Sequence, residues 1–117
     1  MTIEYDIEPV AKPRMTRSDK WRKRPIVEHY RAFVTECRLK RVTFADHGAI
    51  ITFVLPMPDS WSDAKKDTFE GTKHFGTPDL DNLMKALSDA VYSDDSCIWD
   101  YRVTKLWGRT GKIIVEQ

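Results

Sequence analysis

The chain of 117 residues is 41% hydrophobic and 32% charged, with 19 Lys and Arg against 18 Asp and Glu. That length predicts one domain, residues 1–117, and no run approaches the roughly 20 apolar residues of a membrane span. The acids of Met1–Pro9 are unlike a signal peptide, and Cys37 and Cys97, each inside an apolar pattern, predict reduced thiols in a cytoplasmic protein.

Thr2–Glu8 alternates Ile3, Tyr5 and Ile7 with acids, the period of a strand with one wet face. Lys12–Pro25 has no period, two prolines and seven bases, and predicts a loop. Ile26, Val27, Tyr30, Phe33, Val34 and Cys37 follow helical spacing, so a helix runs from Ile26 to about Lys40, with Arg31 and Arg38 off its apolar stripe. Ala49–Leu55 reads as a central strand ended by Pro56 and Pro58.

Asp59–Gly76 is a polar insertion with a short helix over Ser62–Phe69, capped by Ser62. Leu80–Tyr92 is the clearest helix, its stripe being Leu80, Leu83, Met84, Leu87 and Val91. Ile98–Trp107 alternates as a strand that includes Trp99 and Trp107, Gly108–Gly111 reads as a hairpin turn, and Lys112–Glu116 as the last strand. The order predicts an α/β (α+β) fold: a mixed sheet of about four strands with two main helices packed on one face.

The net charge of +1 averages two opposed blocks. From Lys12 to Arg41 eleven bases face Asp19, Glu28 and Glu36. Lys12, Arg14, Arg17, Lys20, Arg22, Lys23 and Arg24 crowd its first half, a candidate phosphate-binding surface extended by Arg31 and Arg38. From Asp79 to Asp100 six acids face only Lys85. Basic and acidic blocks in one chain suggest metal-dependent chemistry on a nucleic-acid backbone; two solvated faces of opposite sign are the plainer alternative.

Within Thr77-Pro78-Asp79-Leu80-Asp81-Asn82-Leu83-Met84-Lys85, two acids two positions apart diverge by about 200° on a regular helix. They converge if Asp79 precedes the helix and Asp81 opens it, a break that Pro78 favours. The helix N-terminus then sets partial positive charge beneath both carboxylates, and Lys85 stands one turn above Asp81. Taken singly, Asp79 is an ordinary N-cap and Asp81–Lys85 an ordinary surface ion pair. The Asp94-Asp95 pair follows this helix, and a strand folding back would carry Asp95 towards the first two acids. Three gathered carboxylates need a counter-charge, and oxygen ligands alone suit Mg²⁺, with Mn²⁺ a plausible substitute.

Asp79-Leu80-Asp81-Asn82-Leu83-x-Lys85, Asp94-Asp95 and the strand ending Val103-Thr104-Lys105 resemble the RusA-type Holliday-junction resolvases. Lys12-Pro13-Arg14 and Ser60-Trp61-Ser62 extend the likeness over most of the chain, and the long insertion resembles phage and prophage members. The resemblance implies a Mg²⁺-dependent endonuclease resolving four-way DNA as a homodimer in the host cytoplasm, in recombination and repair. It implies Asp79, Asp81 and Asp95 as metal ligands, Lys85 as the catalytic lysine, Asp94 as a companion acid, and Lys105 beside the basic loop as a DNA contact. A globule of this length has a radius of gyration near roughly 13 Å, too small to embrace a junction. Paired cuts need two sites, which a two-fold homodimer supplies. Trp21, Trp61 and Phe75 are the aromatics expected at an interface or against unstacked bases; Trp99 and Trp107 are expected in the sheet. His29, His47 and His74 lack ligand spacing. A non-catalytic nucleic-acid-binding module, or a metal-dependent nuclease for flaps or RNA, are the alternatives.

Overall fold

The computed structural model describes residues 1–21 and 23–117, and Arg22 lies outside the described residues. Its sheet is built around the apolar run: β2 (Ala49–Pro56) lies between β4 (Lys112–Glu116), antiparallel to it, and β3 (Tyr101–Gly108), parallel to it. β1 (Thr2–Tyr5) completes the order β1-β4-β2-β3 by pairing antiparallel to β4. The expected mixed four-strand sheet is therefore present.

The expected hairpin is not. β3 and β4 flank β2 on opposite edges, so residues 109–111 cross the end of the central strand instead of joining neighbours. Two alternating runs around a glycine-bounded turn do not reveal that a third strand lies between them. Here β2 buries Ile51 and Phe53 completely and has both its edges paired. Gly108 suits the crossing, because a Cβ there would lie 2.3 Å from Val54 Cγ1. β1 is shorter than expected: it pairs with β4 only from Thr2 opposite Glu116 to Tyr5 opposite Ile113, near the start of β4, although Ile7 still reaches the core.

α1 (Pro25–Leu39) and α3 (Leu80–Val91) supply the helical side of the core. Val27, Tyr30, Phe33 and Cys37 of α1 are buried, as are Leu83, Met84, Ala86, Leu87 and Ala90 of α3. Ile51, Phe53, Leu55, Ile113 and Val115 bury the facing side of the sheet. Both cysteines are free; burial pushes the Cys37 thiol up to about 12, whereas Cys97 is exposed rather than part of an apolar face.

The insertion forms α2 (Asp63–Phe69), where the Ser62 hydroxyl accepts from the Lys65 amide at 3.2 Å. Residues 71–74 then run along the outer edge of β3, with Gly71 N on Trp107 O at 2.9 Å and His74 N on Lys105 O at 3.1 Å. Arg109 ties the 109–111 link to Asp63, Asp67 and Glu70. Trp61 is half-buried against Trp107 and Phe69, with centroids at 5.0 and 5.3 Å, so it serves packing rather than display. Trp99 departs from expectation in the other direction. It precedes β3, is 72% exposed and stacks on His47, because the β2–β3 ladder begins only at Ala49 opposite Tyr101.

Candidate active site and nucleic-acid interface

Asp79 is the N-cap residue of α3, in extended conformation (φ −68°, ψ 142°), yet its side chain makes no capping hydrogen bond. The simplest reason for an aspartate at this position is therefore not its role here. Asp81 lies in the first turn, exposed, with one oxygen accepting from the Asn82 amide at 3.0 Å. Lys85 is exposed one turn further on, and among the described residues it forms no ion pair with Asp81 or any other acid.

The backbone entering this pair is held from the sheet. Lys105 Nζ donates to Gly76 O at 2.6 Å and to Pro78 O at 2.9 Å. Gly76 adopts φ +89°, and the Thr77–Pro78 bond is cis. Two of the ammonium's three N–H groups are thus engaged on the turn that delivers Asp79.

Asp94 and Asp95 divide their tasks. Asp94 caps a short 3₁₀ turn over Asp95–Cys97, its Oδ1 accepting from Ser96 N at 3.0 Å. The Ser96 hydroxyl and amide hold the Asp94 carboxyl below its usual range. The Asp95 side chain is exposed and uncommitted among the described residues.

The following strand does not carry Asp95 back to the first pair. α3 has 12 residues and so is about 18 Å long. Asp79 and Asp81 mark its start, whereas Asp95 comes four residues after its end, near the beginning of β2. Trp99 N on Asp46 O at 3.0 Å and Gly48 N on Asp100 Oδ2 at 2.9 Å hold this segment there. Among the described residues no three His, Cys, Asp or Glu side chains form a metal-holding group within one chain.

A sixth acid of the block, Asp89, is structural. Its Oδ2 meets Lys12 Nζ at 2.6 Å and the Tyr30 hydroxyl at 2.7 Å. Burial works to raise its pKa, but the Lys12 and Tyr30 hydrogen bonds prevail and hold the carboxyl below its usual range. Burial first, then Asp89, push the Tyr30 phenol well up. Arg38 caps the end of α3 through the carbonyls of Asp89 (3.2 Å) and Ala90 (3.3 Å), favourable for a cation at a helix C-terminus.

The basic loop is folded around an acid. Asp19, 5% exposed, takes both arms of Arg24 at 2.7 and 2.8 Å and the Thr16 amide at 2.6 Å. Arg24, then Thr16, hold the Asp19 carboxyl far below its usual range, and Asp19 raises Arg24 in turn. Arg24 also donates to Arg14 O at 2.9 Å, closing the loop. Of the residues expected to face DNA, Arg14, Arg17, Lys20 and Lys23 are exposed with uncommitted side chains among those described. Lys12, Arg24 and Lys105 are engaged within the chain, and Arg22 falls outside the described residues.

The sequence reading missed the anchoring roles of Asp19 and Asp89. For Asp19 a signal existed: it is the one acid between Lys12 and Arg24. His74 is 7% exposed and packs on Trp107 with centroids at 4.0 Å, so it is buried beside the edge of β3. Burial first, then Lys105, lower its pKa.

No helix of the described residues is long and apolar enough to cross a membrane. No curated protein and no solved structure matches the chain. The family model for Endodeoxyribonuclease RusA does, over residues 6–116. That match spans both carboxylate positions, Lys85, the basic loop and every named element except β1, and the chain belongs to the RusA endodeoxyribonuclease family.

Proposed function

We propose that residues 1–117 act as a single divalent-metal-dependent endonuclease domain. As a two-fold homodimer it resolves four-way DNA junctions by paired phosphodiester cuts, in recombination and repair in a bacterial cytoplasm, as a phage- or prophage-type member of its family. The observation that carries this reading is the Asp79 carboxylate: placed as a helix cap, uncommitted to capping, and adjacent to exposed Asp81.

Mg²⁺ is usually held by one or two carboxylates, with water and substrate phosphate filling the remaining positions. Asp79 and Asp81 fit that donor set, and Mn²⁺ suits the same oxygens. A cation held there supplies an activated water and charge neutralisation at the phosphoryl group. Asp79 and Asp81 hold it, and Lys105 fixes the peptide groups ahead of Asp79. Lys85 sets an ammonium one turn above Asp81, where it offsets charge developing on phosphate or on the leaving 3′ oxygen. Arg14, Arg17, Lys20 and Lys23 grip the backbone, with Arg22 of the same run.

Asp95, at the other end of α3, completes the donor set from a second copy. A two-fold axis that sets the start of one α3 beside the end of the other brings three carboxylates together twice. The same symmetry provides the two cuts that a junction requires.

Four-way junction, flap, duplex and single-stranded DNA, with an RNA duplex, are compared in Mg²⁺ and in EDTA. The wild type is expected to cut junctions in Mg²⁺ only. Asp79→Asn, Asp81→Asn and Asp95→Asn are expected to lose cutting by about a hundredfold or more while still binding. Full cutting by all three variants overturns the metal-site reading, whereas junction binding without any cutting by the wild type in Mg²⁺ favours a binding module. Preference for flaps or RNA overturns the substrate.

A further inference from the structure

Phe75 is 69% exposed, in a segment whose other aromatics all pack. Trp61 pairs with Phe69 and Trp107, and Trp107 with His74. Phe75 has no such partner among the described residues, yet its backbone is fixed on both sides. His74 is buried and its amide bonds Lys105 O at 3.1 Å, while Gly76 O receives Lys105 Nζ at 2.6 Å. Gly76, at φ +89°, turns the chain immediately after the ring in a conformation that L side chains rarely adopt.

Burial alternates across this stretch: Lys73 is exposed, His74 buried, Phe75 exposed. A cation and an aromatic ring are therefore displayed two residues apart, four residues before Asp79. That pairing suits single-stranded or distorted nucleic acid, where a cation meets phosphate and a ring meets the face of a base. A continuous duplex keeps its base faces stacked, whereas a branch point exposes them. One phenylalanine buries about 150–250 Å², far below the roughly 800 Å² per partner of a stable protein interface. The ring alone is thus a poor dimer contact.

We propose that Phe75 is a base-stacking residue that selects branch-point DNA over continuous duplex. It rests on the reading of the chain as a branched-DNA nuclease and adds the source of its selectivity.

The test measures binding of wild type, Phe75→Ala and Phe75→Trp in EDTA to a four-way junction carrying 2-aminopurine at the branch, and to a linear duplex of the same sequence. Phe75→Ala is expected to weaken junction binding about tenfold, the order of one lost base stack, leaving duplex binding and salt dependence unchanged and altering the 2-aminopurine emission. Phe75→Trp is expected to retain the preference. Equal losses on both substrates, no loss on either, or dissociation of the Phe75→Ala dimer in sedimentation overturns the proposal. Asp79→Asn is assayed alongside for cutting: if it still cuts, the nuclease reading fails, whereas if it is inactive and Phe75→Ala keeps its preference, only the stacking role fails.

Discussion

Lys105 Nζ lies 2.9 Å from the carbonyl oxygen of Pro78, the last peptide group before Asp79. A lysine on the sheet thereby sets the position of a carboxylate on a helix. Lys105→Met is expected to lower cutting about 10- to 100-fold, the usual effect of losing a group that orients a ligand. Junction binding in EDTA should hold, and the Mg²⁺ concentration for half-maximal cutting should rise. Lys105→Arg, which keeps donors on the same turn, should recover part of the loss. A phosphate contact would behave differently: binding would weaken and the salt slope would fall by about one.

The separation of Asp79 from Asp95 along α3 makes complementation decisive. Asp79→Asn and Asp95→Asn are each expected to be inactive alone. Mixed and allowed to exchange subunits, they should regain nicking of one strand, because one of the two composite sites then carries no substitution. If all three acids of a site came from one chain, the mixture would stay inactive. A strand-specific junction assay reads the difference.

Asp19 presents a case in which charge and architecture predict opposite signs. Removing an acid from a basic loop strengthens phosphate binding if only net charge matters. Here Asp19 holds Arg24, which holds Arg14 O. Asp19→Ala strands a partly buried guanidinium and releases the loop, so junction affinity should fall, by roughly three- to tenfold. If the wild type binds as the proposed dimer, with four uncommitted loop bases per chain among the described residues, it should lose about 10³–10⁵ in affinity between 50 and 200 mM salt when most of them meet phosphate. Titration at several salt concentrations checks both.

Asp89 couples stability to acid pH. Its folded pKa lies below the ordinary carboxylate value. Its contribution is therefore complete above the unfolded pKa, near roughly 3.9, and is lost as pH falls through the folded value. Thermal unfolding from pH 7 down to pH 3 should show a falling Tm, and Asp89→Asn should begin lower and fall less. Parallel curves for the two proteins would assign the acid limb to other carboxylates.

Elements whose information is local were legible in the sequence. The spacing of Leu83 and Leu87 marks α3, the run Ala49–Leu55 marks β2, and Ser62 marks the start of α2. Strand order was not, because nothing in residues 108–111 indicates that β2 lies between their flanking strands. The motif around Asp79 located one end of the candidate site. That Asp95 stands at the far end of a helix depends on how segment 92–100 docks against Asp46 and Gly48, which is a tertiary fact. The same holds for Asp19 and Asp89, whose partners make them anchors where charge counting sees only acids.

The insertion begins and ends on one strand: Met57 N bonds Gly108 O at 3.0 Å, and His74 N bonds Lys105 O at 3.1 Å. Its two feet stand three residues apart on β3, with α2 arching between them. Length can therefore be added or removed within the arch while the Lys105 anchor ahead of Asp79 stays in register, as surface connections tolerate. The segment is an exchangeable cassette: the proposed metal-holding acids stay with α3 and the Lys105 anchor with the sheet, while the arch itself can vary without moving them.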